Sequence, residues 1–249
     1  MKSIIKDTLE KTKDYVIDTY KHTSNHILML TNTKNVFDKK SLKVNVKNID
    51  CIDEYILLKE MYPNSKIGLL NLANAYNPGG GVLNMHRSQE EDICRRTSLL
   101  HSLHSINKCN CCNELYPIEN NEIILSKDIY IIKNNKYKIL DTPIKIDCVL
   151  TSAAIKRPKL KNGLYNFIDK NIMKSRIKLI LDAAIIESLD VLVLGAYGCG
   201  VFKNPPNEVA QLFNEELTYC IKQFNHISFA ILERNSEEPL NTIFKSVFQ

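Results

Sequence analysis

Four short apolar runs punctuate the chain: IGLLNLANA (67–75), DCVLTSAA (147–154), DVLVLGA (190–196) and HISFAIL (226–232). They lack the strict alternation of a half-wet strand, which suits strands buried on both faces of a sheet. Around them the apolar spacing is helical, at 3–20 (Ile4, Ile5, Leu9, Tyr15, Val16, Tyr20), 51–62, 89–104, 170–188 (Met173, Ile177, Ile180, Ala184), 205–223 and 238–248. Strands alternating with helices predict a three-layer α/β domain with a largely parallel sheet. With no internal repeat, low-complexity tract or Pro/Gly linker, residues 1–249 are expected to form one domain, of which 1–48 is a Lys-rich helical extension.

Composition narrows the class without naming a function. Hydrophobic residues make up 44% and charged residues 24%, and no apolar run reaches the roughly 18 residues of a membrane span. The polar start MKSIIKDTLEKTKDY has no apolar signal core, so an intracellular protein, cytoplasmic or nuclear, is expected. Eight scattered cysteines then read as reduced thiols rather than a disulfide framework. The net charge of +5 is carried by residues 1–48, which hold ten Lys against five acids. That excess fits either a basic arm for nucleic acid or a solvated lysine face. The lack of interleaved aromatic residues favours the solvated face.

Six of the eight glycines fall in two places, Gly79, Gly80 and Gly81, and Gly195, Gly198 and Gly200. Each cluster follows a predicted buried strand, where α/β proteins place ligands. Glycine lets backbone N–H groups approach a ligand closely, so such loops can cradle phosphate. The second loop, GAYGCGVFKNPP, runs into a predicted helix with Asn204 as N-cap and Pro205 at the first helical position. The order G-x-x-G-x-G on a late strand is not the dinucleotide fingerprint, and neither loop carries GK[ST].

Gln89, Glu90 and Glu91 begin a predicted helix seven residues after Gly81. Two glutamates there could simply be solvated charges at the positive end of the helix dipole. Adjacent helical residues point about 100° apart, so the pair is not expected to flank one bond as ordinary glycosidase carboxylates do. At most one would face the reacting atoms, the other orienting substrate or its neighbour.

Residues 69–103, LLNLANAYNPGGGVLNMHRSQEEDICRRTSLLHSL, closely resemble the bacterial-type poly(ADP-ribose) glycohydrolases, whose signature is GGG, six to eight residues, then QEE. The resemblance continues through DCVLTSAA, VLVLGAYGCGVFKNPPNEVA (191–210) and FAILERNSEEPLNTIFKSVF (229–248), and it takes in IKDTLE (5–10). It implies a macrodomain-like three-layer α/β/α fold with a mixed sheet, ADP-ribose in a cleft at the strand ends, and hydrolysis of the ribose–ribose O-glycosidic bond from the end of poly(ADP-ribose). Carried over to this chain, Glu91 is the catalytic glutamate, Glu90 its partner, and Gln89 completes the motif. Gly79, Gly80 and Gly81 lie beside the terminal ribose. Asn74 and Asn77 shape the ribose side. Gly195, Ala196, Tyr197, Gly198, Cys199, Gly200, Val201 and Phe202 hold the diphosphate, with Phe202 near the ribose.

Met85, His86 and Arg87 stand where the family has small residues, and Ile155 where it tends to have proline. A poor ribose leaving group needs an acid, so Glu91 is expected to be lifted toward neutrality by burial. The substrate's own diphosphate could then stabilise the oxocarbenium ion, and no cofactor or metal is called for. His101, His104, Cys109, Cys111 and Cys112 invite a zinc reading, but C-x-C-C is poor zinc spacing. Arg87, Arg95 and Arg96 flank the glutamates either as phosphate partners or in structural ion pairs, and Cys199 reads as a small filler. The alternatives kept open are a hydrolase of mono-ADP-ribosylated protein or nucleic acid, a non-catalytic ADP-ribose reader, and a zinc-dependent nucleic-acid module.

Overall fold

The computed structural model describes residues 1–15, 18–24, 27, 42–105, 115–220, 223–233 and 239–249. In chain order the elements are helix α1 (Lys2–Thr12), strands β1 (Asp18–Thr23) and β2 (Lys43–Lys47), helix α2 (Cys51–Met61), strand β3 (Ile67–Leu72), and helices α3 (Gln89–Arg96) and α4 (Leu99–Ser105). A long hairpin follows, β4 (Glu122–Lys133) and β5 (Ile139–Ser152), then a short one, β6 (Leu160–Lys161) and β7 (Leu164–Tyr165). Helix α5 (Phe167–Ile186), strand β8 (Val191–Leu194), helix α6 (Pro206–Cys220), strand β9 (His226–Ala230) and helix α7 (Leu240–Phe248) complete the fold.

Seven strands form one mixed sheet in the order β1-β4-β5-β3-β8-β9-β2. The five strands from β5 to β2 run parallel, and β1 and β4 add antiparallel pairs at one side. The buried runs feed two cores at once. In β8, Val191 and Val193 join the core under α2 and α4, while Leu192 and Leu194 join the core packed by α5, α6 and α7. Such strands are apolar at every position because neither face meets water.

Helix 3–20 is overturned beyond its first part. α1 ends at Thr12, and Asp18–Thr23 is an edge strand paired with β4. Its alternating polar side chains mimic helical spacing over so short a run, but Thr19 buries its hydroxyl against Ser102 and Ser126. Val16 lies outside the described residues. With β2 at the opposite edge, the described residues among the first 48 supply both margins of the sheet as well as α1. The predicted helix 89–104 is also broken, because Thr97 bridges Ile131 and the Ser98 N–H donates to the Tyr130 carbonyl at 3.0 Å. Two helices therefore replace one.

Candidate active site

The strand ends of β3, β8 and β9 surround a cleft of about 310 Å³, lined by Leu72, Ala73, Ser88 and Gln89 on one side and by Ala196 to Phe202, Cys199 excepted, on the other. Ile49, Asp50, Ile231, Leu232 and Leu240 close its far end. The sequence reading missed these five, although Ile231 and Leu232 sit at the end of a predicted strand. Asp50 is the N-cap of α2, accepting from the Ile52 and Asp53 amides. It also pairs with the buried Arg96 at 2.7 Å, and burial raises its pKa.

A second cavity, of about 400 Å³, lies across the triple-glycine loop and is lined by Asn74, Asn77, Gly80, Gly81, His86 and His104, among others. Glu90 and Glu91, 3% and 4% exposed, line neither space but hydrogen-bond residues that do. Glu91 accepts from the Gly81 amide at 2.8 Å and from the Ser88 amide at 2.9 Å, and it also bonds the Ser88 hydroxyl. Ser88 lines the cleft and Gly81 the second cavity, so one carboxylate bonds a wall residue of each. Glu90 accepts from the Asn74 amide at 2.8 Å, while its Oε1 has no partner.

Both carboxylates converge on one point. A Cβ on Gly80 would stand 2.5 Å from Glu91 Oε1 and 2.7 Å from Glu90 Oε2. Despite the 100° offset of adjacent helical residues, both carboxylates reach the glycine loop. Gly80 has φ +59, a left-handed conformation that glycine adopts without strain. The loop is pinned from both ends. Asn74 Oδ1 accepts from the Tyr76 and Asn77 amides, and the Asn77 carbonyl accepts from the Gly80 amide.

The carboxyl lifted toward neutrality is Glu90, to about 8, chiefly by burial and further by the charge of Glu91. The residue whose acid form burial favours is thus the one expected to be the partner. A hydroxyl without a partner, that of the buried Tyr116, lies within the field of Glu90 and is itself pushed to higher pKa by burial. In the unfolded chain Glu90 ionises near 4.5, so folding is favoured fully below that pH. This contribution is lost as pH rises to and through about 8, at no more than about 1.4 kcal/mol per pH unit. Glu90→Gln, a neutral mimic, is therefore expected to flatten the fall of thermal stability between pH 5 and 8. An unchanged slope in melting scans would show that Glu90 does not retain its proton.

The other predicted residues divide by role. Gln89 spends its amide on the backbone of β3, accepting from the Leu72 N–H and donating to the Leu70 carbonyl. It fixes the start of α3 on the sheet. Gly79 also has positive φ, and a Cβ there would meet Leu100. Tyr197 is buried with its hydroxyl on Ser152, and Cys199 is buried with its thiol pushed well up, so it is a filler and not a nucleophile. Ala196, Gly198, Gly200, Val201 and Phe202 present the loop to the cleft, with Val201 exposed, while Gly195 packs against Leu72 and does not line it. Asn204 is not the cap of α6, which begins at Pro206. It is buried and bonds the Ile155 and Gly198 carbonyls and the Tyr165 hydroxyl, fastening the loop from behind.

The two outer glycines of that loop differ. Gly198 has φ +74, and a Cβ would collide with Ala154 and Asn204, so the fold demands glycine there. Gly200 has open space around the same position. Gly200→Val should thus leave melting unchanged while weakening ADP-ribose binding at least tenfold, a change that calorimetry would read. Equal affinity would move the phosphates elsewhere.

Arg96 is held by Asp50, Asp53 and Asp92, and Arg95 donates to the Val82 and His86 carbonyls under the glycine loop. Both are structural, whereas Arg87 lines the cleft. Cys109, Cys111 and Cys112 lie outside the described residues. Among the described residues no group of three or more His, Cys, Asp or Glu is placed to hold a metal, and no helix is long and apolar enough to cross a membrane.

The three-layer sandwich and its cleft at the strand ends are shared with the macrodomain-like poly(ADP-ribose) glycohydrolases. The Thermomonospora curvata enzyme superposes with a TM-score of 0.82 at 21% identity, over 99% of this chain and 98% of that one. Its complex with the inhibitor ADP-HPD gives 0.80 at 22% identity, over 98% of each. The Deinococcus radiodurans enzyme in complex with ADP-ribose gives 0.75 at 25% identity, over 92% and 93%. No curated protein sequence matches. Residues 1–134 match the family described as microbial-type PARG, catalytic domain, and the chain belongs to that family.

Proposed function

We propose that the chain hydrolyses the ribose–ribose O-glycosidic bond of poly(ADP-ribose) and releases ADP-ribose, with Glu91 delivering the proton to the leaving oxygen. The observation that carries this reading is the place of Glu91, which bonds Ser88 of the cleft and Gly81 of the second cavity through one carboxylate. Terminal ADP-ribose in the cleft beside the 196–202 loop and the next ribose in the second cavity would set the scissile bond between them. Glu91 must carry the transferred proton itself, and Glu90, whose acid form burial favours, sits beside it at the glycine loop. The amides of the 195–202 loop face the diphosphate, whose charge stabilises the oxocarbenium ion as the bond breaks. Water then adds to the anomeric carbon and gives a proton to the Glu91 carboxylate, which restores the acid and completes hydrolysis.

A second assignment, with Glu90 as the acid, is favoured by its raised pKa and its unpartnered Oε1. The two make opposite predictions for the Gln variants, set out below. The overall function is tested by incubating the protein with poly(ADP-ribose), and separately with mono-ADP-ribosylated protein and nucleic acid, in EDTA. Release of ADP-ribose from polymer is expected, together with a rise in melting temperature on adding ADP-ribose. No melting shift and no product at saturating ligand would sink the reading. Release from the monomodified substrates alone would move the chain to the mono-ADP-ribose hydrolases.

A further inference from the structure

The hairpin of β6 and β7 projects from the back of the diphosphate loop, and its chemistry is unlike that of the surrounding surface. Between Lys156 and Tyr165 it carries Lys156, Arg157, Lys159 and Lys161 and no acid. All four are exposed, and none has an ion pair among the described residues. The Arg157 amide donates to the Phe202 carbonyl at 2.7 Å, and the next residue, Lys203, is exposed and also without an ion pair. The basic strip is thus continuous with the cleft at Phe202. Beyond it Leu164, Phe167 and Ile168 stand in the open, Phe167 at 82% exposure. The nearby acids Glu208 and Asp169 are already engaged, Glu208 with Lys170 and the Tyr165 amide and Asp169 with Asn166.

Nothing in the fold requires five unpaired cations in one strip, and their mutual repulsion makes it unfavourable for the free protein. A partner that offers anionic groups at intervals, with flat apolar rings between them, would relieve that repulsion and stack on Phe167. We infer that this strip is a docking surface for the body of a poly(ADP-ribose) chain, binding its diphosphates and adenines away from the cleft that holds the terminal unit. The inference rests on the proposed polymer activity. It adds that the protein grips long chains better than short ones.

The test compares wild type with the triple variant Lys156→Gln, Lys159→Gln, Lys161→Gln, on size-sorted polymer and on the shortest cleavable oligomer. For long polymer, KM should rise about tenfold with kcat unchanged. The slope of log KM against log salt should fall by about 2, the share of three lost phosphate contacts on a single strand. KM for the shortest oligomer and the affinity for free ADP-ribose should not change. Identical long-polymer KM and salt slope, or an equal loss on the shortest oligomer, would overturn the inference. A variant that loses single-stranded RNA binding while keeping its polymer KM would also overturn it, assigning the strip to nucleic acid. If the wild type cleaves nothing, filter binding of long polymer still reads the strip, while ADP-ribose calorimetry reads the cleft, so the two failures are separable.

Discussion

Glu91→Gln should lower the turnover of poly(ADP-ribose) by about 10²- to 10⁴-fold, the range typical of losing a general acid. The substitution keeps the size of the side chain and one acceptor oxygen, which can serve either the Gly81 amide or the Ser88 amide, since these bond different oxygens of Glu91. What it removes is the transferable proton. Affinity for ADP-ribose should barely change, because the product no longer contains the bond being protonated. Glu90→Gln should lose less, with KM and kcat moving together, because it disturbs position rather than the transfer itself. Single-turnover release of ADP-ribose from both variants decides the assignment. Turnover in Glu91→Gln above about half of wild type, with a larger loss in Glu90→Gln, would transfer the acid role to Glu90.

Gly80→Ala should cost roughly 100-fold in activity without touching either glutamate chemically. A methyl group at that position meets carboxylate oxygens at 2.5 and 2.7 Å, so both carboxylates must shift by a sizeable fraction of an ångström. Misplacement on that scale is enough for such a loss. The variant also carries the strain of positive φ, of order 1–2 kcal/mol. Gly163→Ala separates the two effects, because Gly163 has φ +76 and nothing within 4 Å of a built Cβ. It should show the strain in melting but retain activity on the shortest substrate. If Gly80→Ala is as active as Gly163→Ala, the glycine loop does not set the position of the pair.

What the sequence revealed follows from which residues had no freedom. β3, β8 and β9 were legible because burial on both faces leaves an unbroken apolar run, and the glycine loops because left-handed turns such as Gly80 and Gly198 select for glycine. β1 and β2 were not legible. As edge strands they face water along one side, and DTYKHT carries no apolar stripe that separates strand from helix. The β4–β5 hairpin was only half seen: DCVLTSAA marks the end of β5, but Asp141 to Lys145 are mostly exposed and carry no apolar run. At the site, the Gln-Glu-Glu motif marked the right helix but not which carboxyl holds the proton. The burial that raises the Glu90 pKa comes from packing around the glycine loop, which two identical letters do not show.

The two margins of the sheet come from the first 48 residues, yet their partners are made late. Lys43 to Lys47 lie against His226 to Ala230, and Asp18 to Thr23 against Glu122 to Lys127. During synthesis β2 must therefore wait, unpaired, for almost the whole chain to emerge, and such a non-local pairing slows folding. Until then its open edge is free to seek other strands. Trimming the amino-terminal segment to obtain a smaller catalytic unit would make that exposure permanent, leaving β4 and β9 as bare edges prone to self-association. The lysines at 43 and 47 of β2 then take on a meaning apart from any ligand, as the charges that keep an early strand from aggregating while it waits.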